Sequence, residues 1–239
     1  MKDFKILIAC ECSGTVRDAF TSAGFDATSC DIKADVKLSN RHIQDDIRNV
    51  LPLGWDMLVV AHPPCTRLCN SGVRWLHTAP PNRTLEEMWK ELDEGAQLFS
   101  EFWNADKLHN IPHIAVENPV IHKYAKERIQ NYKAFAQSIQ PWQFGTDPNS
   151  WDATKKRTCL WLKNLPSLTP TGTLTADQAT DKIHKMGPSK ERSALRAKFF
   201  DGIANAMADQ WGNYVTHSGL RNQKLKPDGS LNFNYSRAA

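Results

Sequence analysis

No stretch of this sequence approaches the roughly 18 consecutive apolar residues that a membrane-spanning helix needs, so no membrane partner is expected. The spacings of a zinc site are missing as well. Cys10-x-Cys12 and Cys65-x3-Cys69 have neither a second, matching pair nor accompanying histidines, and no metal is expected. No secretory leader stands ahead of the six cysteines, so reduced thiols in a cytoplasm are the expectation, not a disulfide framework. Charge of one sign is not in great excess either. A net +4 permits a polyanionic partner without requiring one. No internal repeat is present. Glycine is scarce where it would be most telling: the turn after the first apolar run holds Gly14 alone.

What the chain does have is a series of short apolar runs, each ending in a chemically useful residue. Lys5-Ile6-Leu7-Ile8-Ala9-Cys10 reads as a strand buried on both faces of a parallel sheet. Glu11-Cys12-Ser13-Gly14 then turns into a helix with Val16, Ala19, Phe20 and Ala23 at helical spacing, closed by Gly24. A second strand from Asp26 to Cys30 runs into Asp31. Strand, glycine turn, helix, strand, acid is the order of a nucleotide-type βαβ unit, in which the carboxylate accepts from ribose hydroxyls. An ordinary βαβ unit with an exposed Asp has the same order. Asp45 or Asp46, ahead of Ile47, can contact an adenine amino group or cap the helix that follows.

Met57 to Ala61 is the organising strand. It breaks at Pro63-Pro64, which cannot continue a sheet ladder, and Cys65 follows at once. His62, Thr66, Arg67 and Asn70 surround it with polar, partly positive groups of the kind that activate a thiol, so Cys65 reads as a nucleophile. Residues 66–84 read as a long loop beside the site. Thr84 and Glu87 form a capping box for a helix with an apolar stripe from Leu85 to Trp103. Ile111 to Val116 is the next buried strand, ending in Glu117-Asn118-Pro119 on the same rim as Cys65. A helix is predicted over Tyr124 to Ile139, hairpin strands over Gln140–Phe144 and Lys155–Leu162, and a last helix over Ala194–Trp211. Lys155-Lys156-Arg157, beside tryptophans, suits phosphate contact. The polar tail from His217 is expected to be disordered.

In order and placement these motifs resemble the DNA (cytosine-5) methyltransferases, in particular the small methyltransferase-like proteins of bacteriophages. The resemblance covers most of residues 5–212. Pro64-Cys65 matches the family's Pro-Cys motif, Glu117-Asn118-Pro119 its Glu-Asn-Val motif, and Gly202-Ile203-Ala204-Asn205-Ala206 its late Gly-Asn-Ala motif. The implied fold is a Rossmann-like class I methyltransferase, a mostly parallel α/β sheet flanked by helices, with a reduced or absent target-recognition domain. Residues 1–216 would form the catalytic domain, with 139–192 replacing a full target domain.

The resemblance implies S-adenosylmethionine as cofactor, held by Glu11, Cys12, Ser13, Gly14, Asp31, Ile32, Asp46, Ile47, Pro63 and Asn205. It implies catalysis by Cys65, Glu117 and Arg157, and DNA contacts from Pro64, Thr66, Asn118, Lys155 and Lys156. The setting would be the cytoplasm of a bacterial or phage-infected cell, with DNA as partner and a separate specificity subunit or host protein as a further one. Two other readings stay open: a pyrimidine nucleotide or RNA as substrate of the same cysteine chemistry, or an inactive fold that binds nucleic acid or a host defence protein.

Overall fold

The computed structural model describes residues 4–181, 185 and 198–217. The architecture grows from β1 (Lys5–Ala9), whose side chains alternate between two cores. Ile6 and Ile8 enter one, Leu7 and Ala9 the other. Only an inner strand with helices over both faces of its sheet buries both sets. β2 (Asp26–Asp31) and β4 (Met57–Val60) flank β1 in parallel, and β5 (His113–Asn118) continues in parallel beyond β4. The other strands are β3 (His42–Gln44), β6 (Gln137–Ile139) and β7 (Thr158–Lys163), giving a seven-stranded sheet of order β3-β2-β1-β4-β5-β7-β6. β7 is antiparallel to both its neighbours. The sheet is therefore the doubly wound 3-2-1-4-5-6 order with one reversed strand inserted between β5 and β6. The chain has the Rossmann-like, mostly parallel α/β fold that its sequence predicts.

Helices α1 (Thr15–Ser22) and α6 (Asp201–His217) cover one face through Val16, Phe20, Ile203, Met207 and Trp211. On the other face lie α2 (Ile47–Val50), α3 (Leu85–Trp103), α4 (Ala105–Leu108) and α5 (Lys123–Arg128). Thr84 and Glu87 make the predicted capping box of α3. The stripe Met88, Leu92, Ala96, Phe99, Phe102 and Trp103 is buried, while Leu85, on the first turn, is exposed. Phe99 meets Trp161 of β7 edge-on at 5.3 Å, which ties the reversed strand to α3. Each such buried aromatic contributes about 1.5–3 kcal/mol.

Four expectations shift. Gly24 follows α1 with φ 87° as predicted, but the helix predicted over Tyr124–Ile139 ends at Arg128. There α3 captures the backbone: Ser100 Oγ accepts from Gln130 N–H, Asn104 donates to Gln130 O, and Trp103 Nε1 donates to Asn131 O. Those bonds replace the helical ones, and the chain re-enters the sheet as β6. Gln140–Phe144 is not a strand. Pro141 opens a 3₁₀ turn in which the Gln143 side chain accepts from Gln140 N–H at 2.7 Å. The last helix begins at Asp201, where Gly202 N–H donates to Asp152 Oδ2 at 3.0 Å. Residues 194–197 and the tail beyond His217 lie outside the described residues. Finally, β3 is a strand in a polar stretch for which no strand is predicted; among the described residues it pairs with β2.

Candidate active site

The carboxyl ends of the parallel strands share one rim, and two groups of side chains collect there. The first is built on the turn after β4. Leu68 and Cys69 N–H groups both donate to the Cys65 carbonyl at 3.0 Å, so residues 65–69 form one tight turn. Three bonds fasten that turn to the segment after β5. Asn70 N–H donates to Val120 O, His122 N–H to Leu68 O, and His122 Nε2 bonds Arg67 O at 2.6 Å. Because Ala125 N–H donates to His122 Nδ1, the proton of this imidazole sits on Nε2, facing Arg67 O. Arg67 is tied in turn to Glu91 of α3 at 2.7 Å. The Cys65 turn is thus held against the chain that carries Glu117.

Glu117 is the penultimate residue of β5 and is buried. Its Oε1 accepts from the Thr158 hydroxyl on β7. Burial raises its pKa, opposed by the Lys156 charge and the Thr158 bond. A buried carboxyl with a single hydroxyl donor is suited to hold its proton. The Cys65 thiol, half-buried, is also raised: by a hydrogen bond to Cys69, by burial, and by the negative fields of Cys69 and Glu117, against the Lys156 charge. Cys65, Glu117 and Lys156 therefore act on one another across the ends of β4, β5 and β7.

Two enclosed polar atoms here have no hydrogen-bond partner among the described residues, His62 Nε2 and Asn118 Oδ1. The His62 ring lies edge-on to Phe199 at 5.3 Å, and burial with the nearby Lys156 charge lowers its pKa to about 3, so it is neutral. Asn118 spends its amide N–H on Pro119 O. Orphaned buried polar atoms are uncommon in a folded protein, and these two follow the ends of the adjacent strands β4 and β5.

The second group lies on the β1–β2 side. Asp31 and Asp46 both act on the half-buried Cys10 thiol, and Asp31 also on Cys12, so these groups lie near one another at the ends of β1 and β2. Gly14 has φ 69° and precedes α1. Its missing side chain is required by the core: a Cβ there would meet the Arg17 guanidinium at 2.1 Å. Both carboxylate oxygens of Glu11 are engaged, accepting from Val16 N–H at 2.7 Å and Arg17 N–H at 3.1 Å. Glu11 thereby serves as the cap that Gly14, lacking a side chain, cannot provide. Asp46 caps α2 by accepting from Arg48 N–H at 2.9 Å, and Asp45 accepts from Asp46 N–H and the Asn49 amide. Asp31 Oδ1 accepts from Lys33 N–H at 2.9 Å.

The remaining predicted residues are placed as follows. Ser13 is half-buried beside Glu11 and Thr15; Ile47 is buried, while Ile32 is 73% exposed. Pro63 is buried, Pro64 and Thr66 are exposed, and Asn205 lies on the exposed side of α6. Lys155 is exposed, its N–H bonded to Thr180 O. Arg157 is exposed and engaged elsewhere, its Nε donating to Ser138 Oγ at 2.9 Å beside the Phe135 ring. Lys156 is the basic residue that acts on Cys65 and Glu117. Thr158 and Cys69 join the site without having been singled out for it, while His62, expected beside Cys65 as part of a positive setting, is neutral. The Thr158 position was legible as i+2 from Lys156 on an extended strand, which puts both on one side.

No protein-family model and no curated protein matches the chain. Among solved structures it is similar to an E. coli protein described as a DNA modification methyltransferase encoded within a prophage, with a TM-score of 0.43 and 14% identity. It is also similar to a mutant of Spodoptera frugiperda DNMT2, with a TM-score of 0.34 and 13% identity. Each alignment covers 79% of this chain, which spans 49% of the first structure's chain and 61% of the second's.

Proposed function

We propose that the chain is an S-adenosylmethionine-dependent methyltransferase that modifies carbon 5 of cytosine in DNA through an adduct with Cys65. The observation that carries this reading is the placement of Cys65 and the buried Glu117 carboxyl at the carboxyl ends of the adjacent parallel strands β4 and β5, within electrostatic reach of one another and of Lys156. Carbon 5 of cytosine is a poor nucleophile. Addition of the Cys65 sulfur at carbon 6 makes it enamine-like, and the addition is favoured when an acid protonates or hydrogen-bonds the ring nitrogen. Glu117, holding its proton through burial, is that acid. Asn118 Oδ1 is free to accept, and His62 Nε2 to bond, a polar group of the substrate or bound water. In a duplex the base must be flipped out of the stack to reach this rim. Lys155 and Arg157, exposed beside it, suit the displaced strand's phosphates.

The β1–β2 group suits the cofactor's chemistry. Two carboxylates, Asp31 and Asp46, share one rim, and a cationic ligand with a vicinal diol matches an acidic rim. Asp31 would take the ribose hydroxyls, Asp46 with Ile47 the adenine side, and Cys12, Ser13 and Gly14 the chain's close backbone approach. Bound there, S-adenosylmethionine supplies the methyl group. Glu11 and Arg17 hold the shape of this rim from beneath.

Nucleoside mass spectrometry of DNA from cells expressing the chain, beside the Cys65→Ala variant, tests the reading. A rise in 5-methylcytosine with the native chain alone supports reaction, substrate and nucleophile together. A rise with both, or with neither, overturns the proposal. In the latter case, binding to free pyrimidine nucleotides with little salt dependence would favour a mononucleotide substrate, since only a polynucleotide releases many counterions.

A further inference from the structure

β7 sorts the basic cluster ahead of it onto two faces. Leu160 enters the core beneath α1 and α6, Cys159 and Trp161 the core on the α3 side, so alternate residues point opposite ways. Thr158, on the Leu160 side, bonds Glu117. Arg157, on the other side, donates to Ser138 Oγ and lies 6.0 Å from the Phe135 ring. Lys156 returns to the Thr158 side. Its Nζ stands 5.3 Å from the centre of the Phe200 ring, and Trp151 stacks on Phe200 at 5.8 Å with the planes 10° apart. That stack is fixed at the start of α6. Asp152, next to Trp151, accepts from Gly202 N–H at 3.0 Å, and a Cβ on Gly202 would stand 2.3 Å from the Phe144 carbonyl oxygen. Phe199, next to Phe200, meets the His62 ring on the segment leading to Cys65. One ring at the start of α6 therefore touches that segment and the next ring carries Lys156.

We propose that Lys156 is the fixed countercharge of the addition step, and that Phe200, backed by Trp151, is the residue that positions it. The proposal rests on the reading of Cys65 as nucleophile and Glu117 as acid. Cys65 first loses its S–H proton to water. The sulfur pair then forms the bond to cytosine carbon 6, and the carbon 5–carbon 6 π pair moves to the carbon 4–carbon 5 bond. The displaced carbon 4–nitrogen 3 pair takes the Glu117 proton. The site thus carries one negative charge throughout, on sulfur before addition and on the Glu117 carboxylate after it. A single ammonium facing both groups stabilises that charge at either place without moving. Consistently, the Lys156 charge opposes the upward push of burial on both groups. The other titratable groups facing Cys65 are Cys69 on its own turn and Glu117 from β5; His62 is neutral, and Arg67 is paired with Glu91 of α3.

The rate at which iodoacetamide alkylates Cys65 at pH 7, read by peptide mass spectrometry on the full chain without DNA or cofactor, tests this apart from any methylation. The reagent is uncharged, so its rate follows the thiolate fraction. Lys156→Met should lower that rate about 10-fold, and Lys156→Arg should stay within threefold of native. Phe200→Leu should lower it about 3-fold through the lost ring contact. Added to Lys156→Met, the Phe200→Leu change should have no further effect, since it acts only through the ammonium. A further loss as large as in the single variant would make Phe200 a packing residue and overturn its positioning role. A Lys156→Met rate within twofold of native, or an equal loss in Arg157→Met, overturns the countercharge. Should Lys156→Met fail to fold by circular dichroism, Lys156→Gln takes its place under the same limits. With a methylated product in hand, Lys156→Met should lower kcat about 100-fold with KM within threefold of native. A loss confined to KM would make Lys156 a phosphate contact and overturn the proposal. Alkylation needs no substrate, so its outcome is distinct from that of the 5-methylcytosine measurement.

Discussion

Two glutamates mark the difference between the halves of this rim. Glu11 and Glu117 follow or end inner strands of one sheet, both are buried, and burial raises the pKa of both. Their surroundings then diverge. Glu11 closes two backbone N–H groups of α1 and sits beside the buried Arg17, which is ion-paired to Asp35 at 2.9 Å and to Asp18 at 2.8 Å. Both oxygens of that carboxyl are used to hold the fold. Glu117 has one hydroxyl donor and lies within the electrostatic reach of Cys65, Cys69 and Lys156. The same side chain is a structural cap in one half and a poised acid in the other, and what distinguishes them is how many backbone donors point at the carboxylate.

The strongest way to break that comparison is at its catalytic end. Cys65→Ala is expected to remove methylation altogether, a loss on the order of 10⁴-fold or more. Radiolabelled methyl incorporation into duplex DNA measures it. Turnover within tenfold of native would move the nucleophile elsewhere. Next in size, Glu117→Gln should lower kcat on the order of 10²- to 10³-fold, because an amide cannot supply the ring-nitrogen proton. This variant also carries a pH signature. A carboxyl whose folded pKa lies above its unfolded value, 4.5, costs the fold stability as pH rises from the lower value through the higher. Replacing Glu117 removes that cost. Glu117→Gln should be more stable than the native chain at pH 7, and its denaturation midpoint should fall less than the native one as the pH rises above 4.5. A variant less stable than the native chain at pH 7 would make Glu117 a structural residue after all.

Much of this contrast was readable from residue order, and the limits are physical. β1, β2, β4 and β5 announce themselves as continuous apolar runs because both their faces are covered, and Cys65, Glu117 and Asp31 were legible as residues just past such runs. β3 and β6 have three residues each and no apolar run, since an edge strand is held by its ladder more than by its side chains. The early end of α5 follows from side chains of α3, some 30 residues away in sequence. Cys69 passed unremarked because a pair four residues apart was weighed only as a metal site. Its contact with Cys65 depends on a turn stapled to Val120 and His122, and no local pattern records that.

The structural half can be tested as directly. Asp35→Asn leaves the buried Arg17 with weaker partners and should cost about 2–3 kcal/mol of stability in a urea titration. Loss should be small where only Ser29 and Asp18 are needed to hold the guanidinium, so a cost under 0.5 kcal/mol would show that Asp35 is dispensable. Smallest of all, Glu11→Gln keeps one acceptor for α1 and should cost about 1 kcal/mol. The rate at which iodoacetamide alkylates Cys65 should stay within twofold of native. A large change in that rate would mean that the two halves of the rim are not independent.

The two prolines ahead of Cys65 have a consequence for binding. Each ring removes one backbone rotation from the segment that delivers the thiol, and the turn beyond it is bonded to the Val120–His122 segment and to Glu91 of α3. A nucleophile carried on a free loop would surrender that freedom each time a base arrived, weakening every encounter by the same factor. Here the ordering is completed when the protein folds, once, and the arriving base meets a sulfur whose range of positions has already been narrowed.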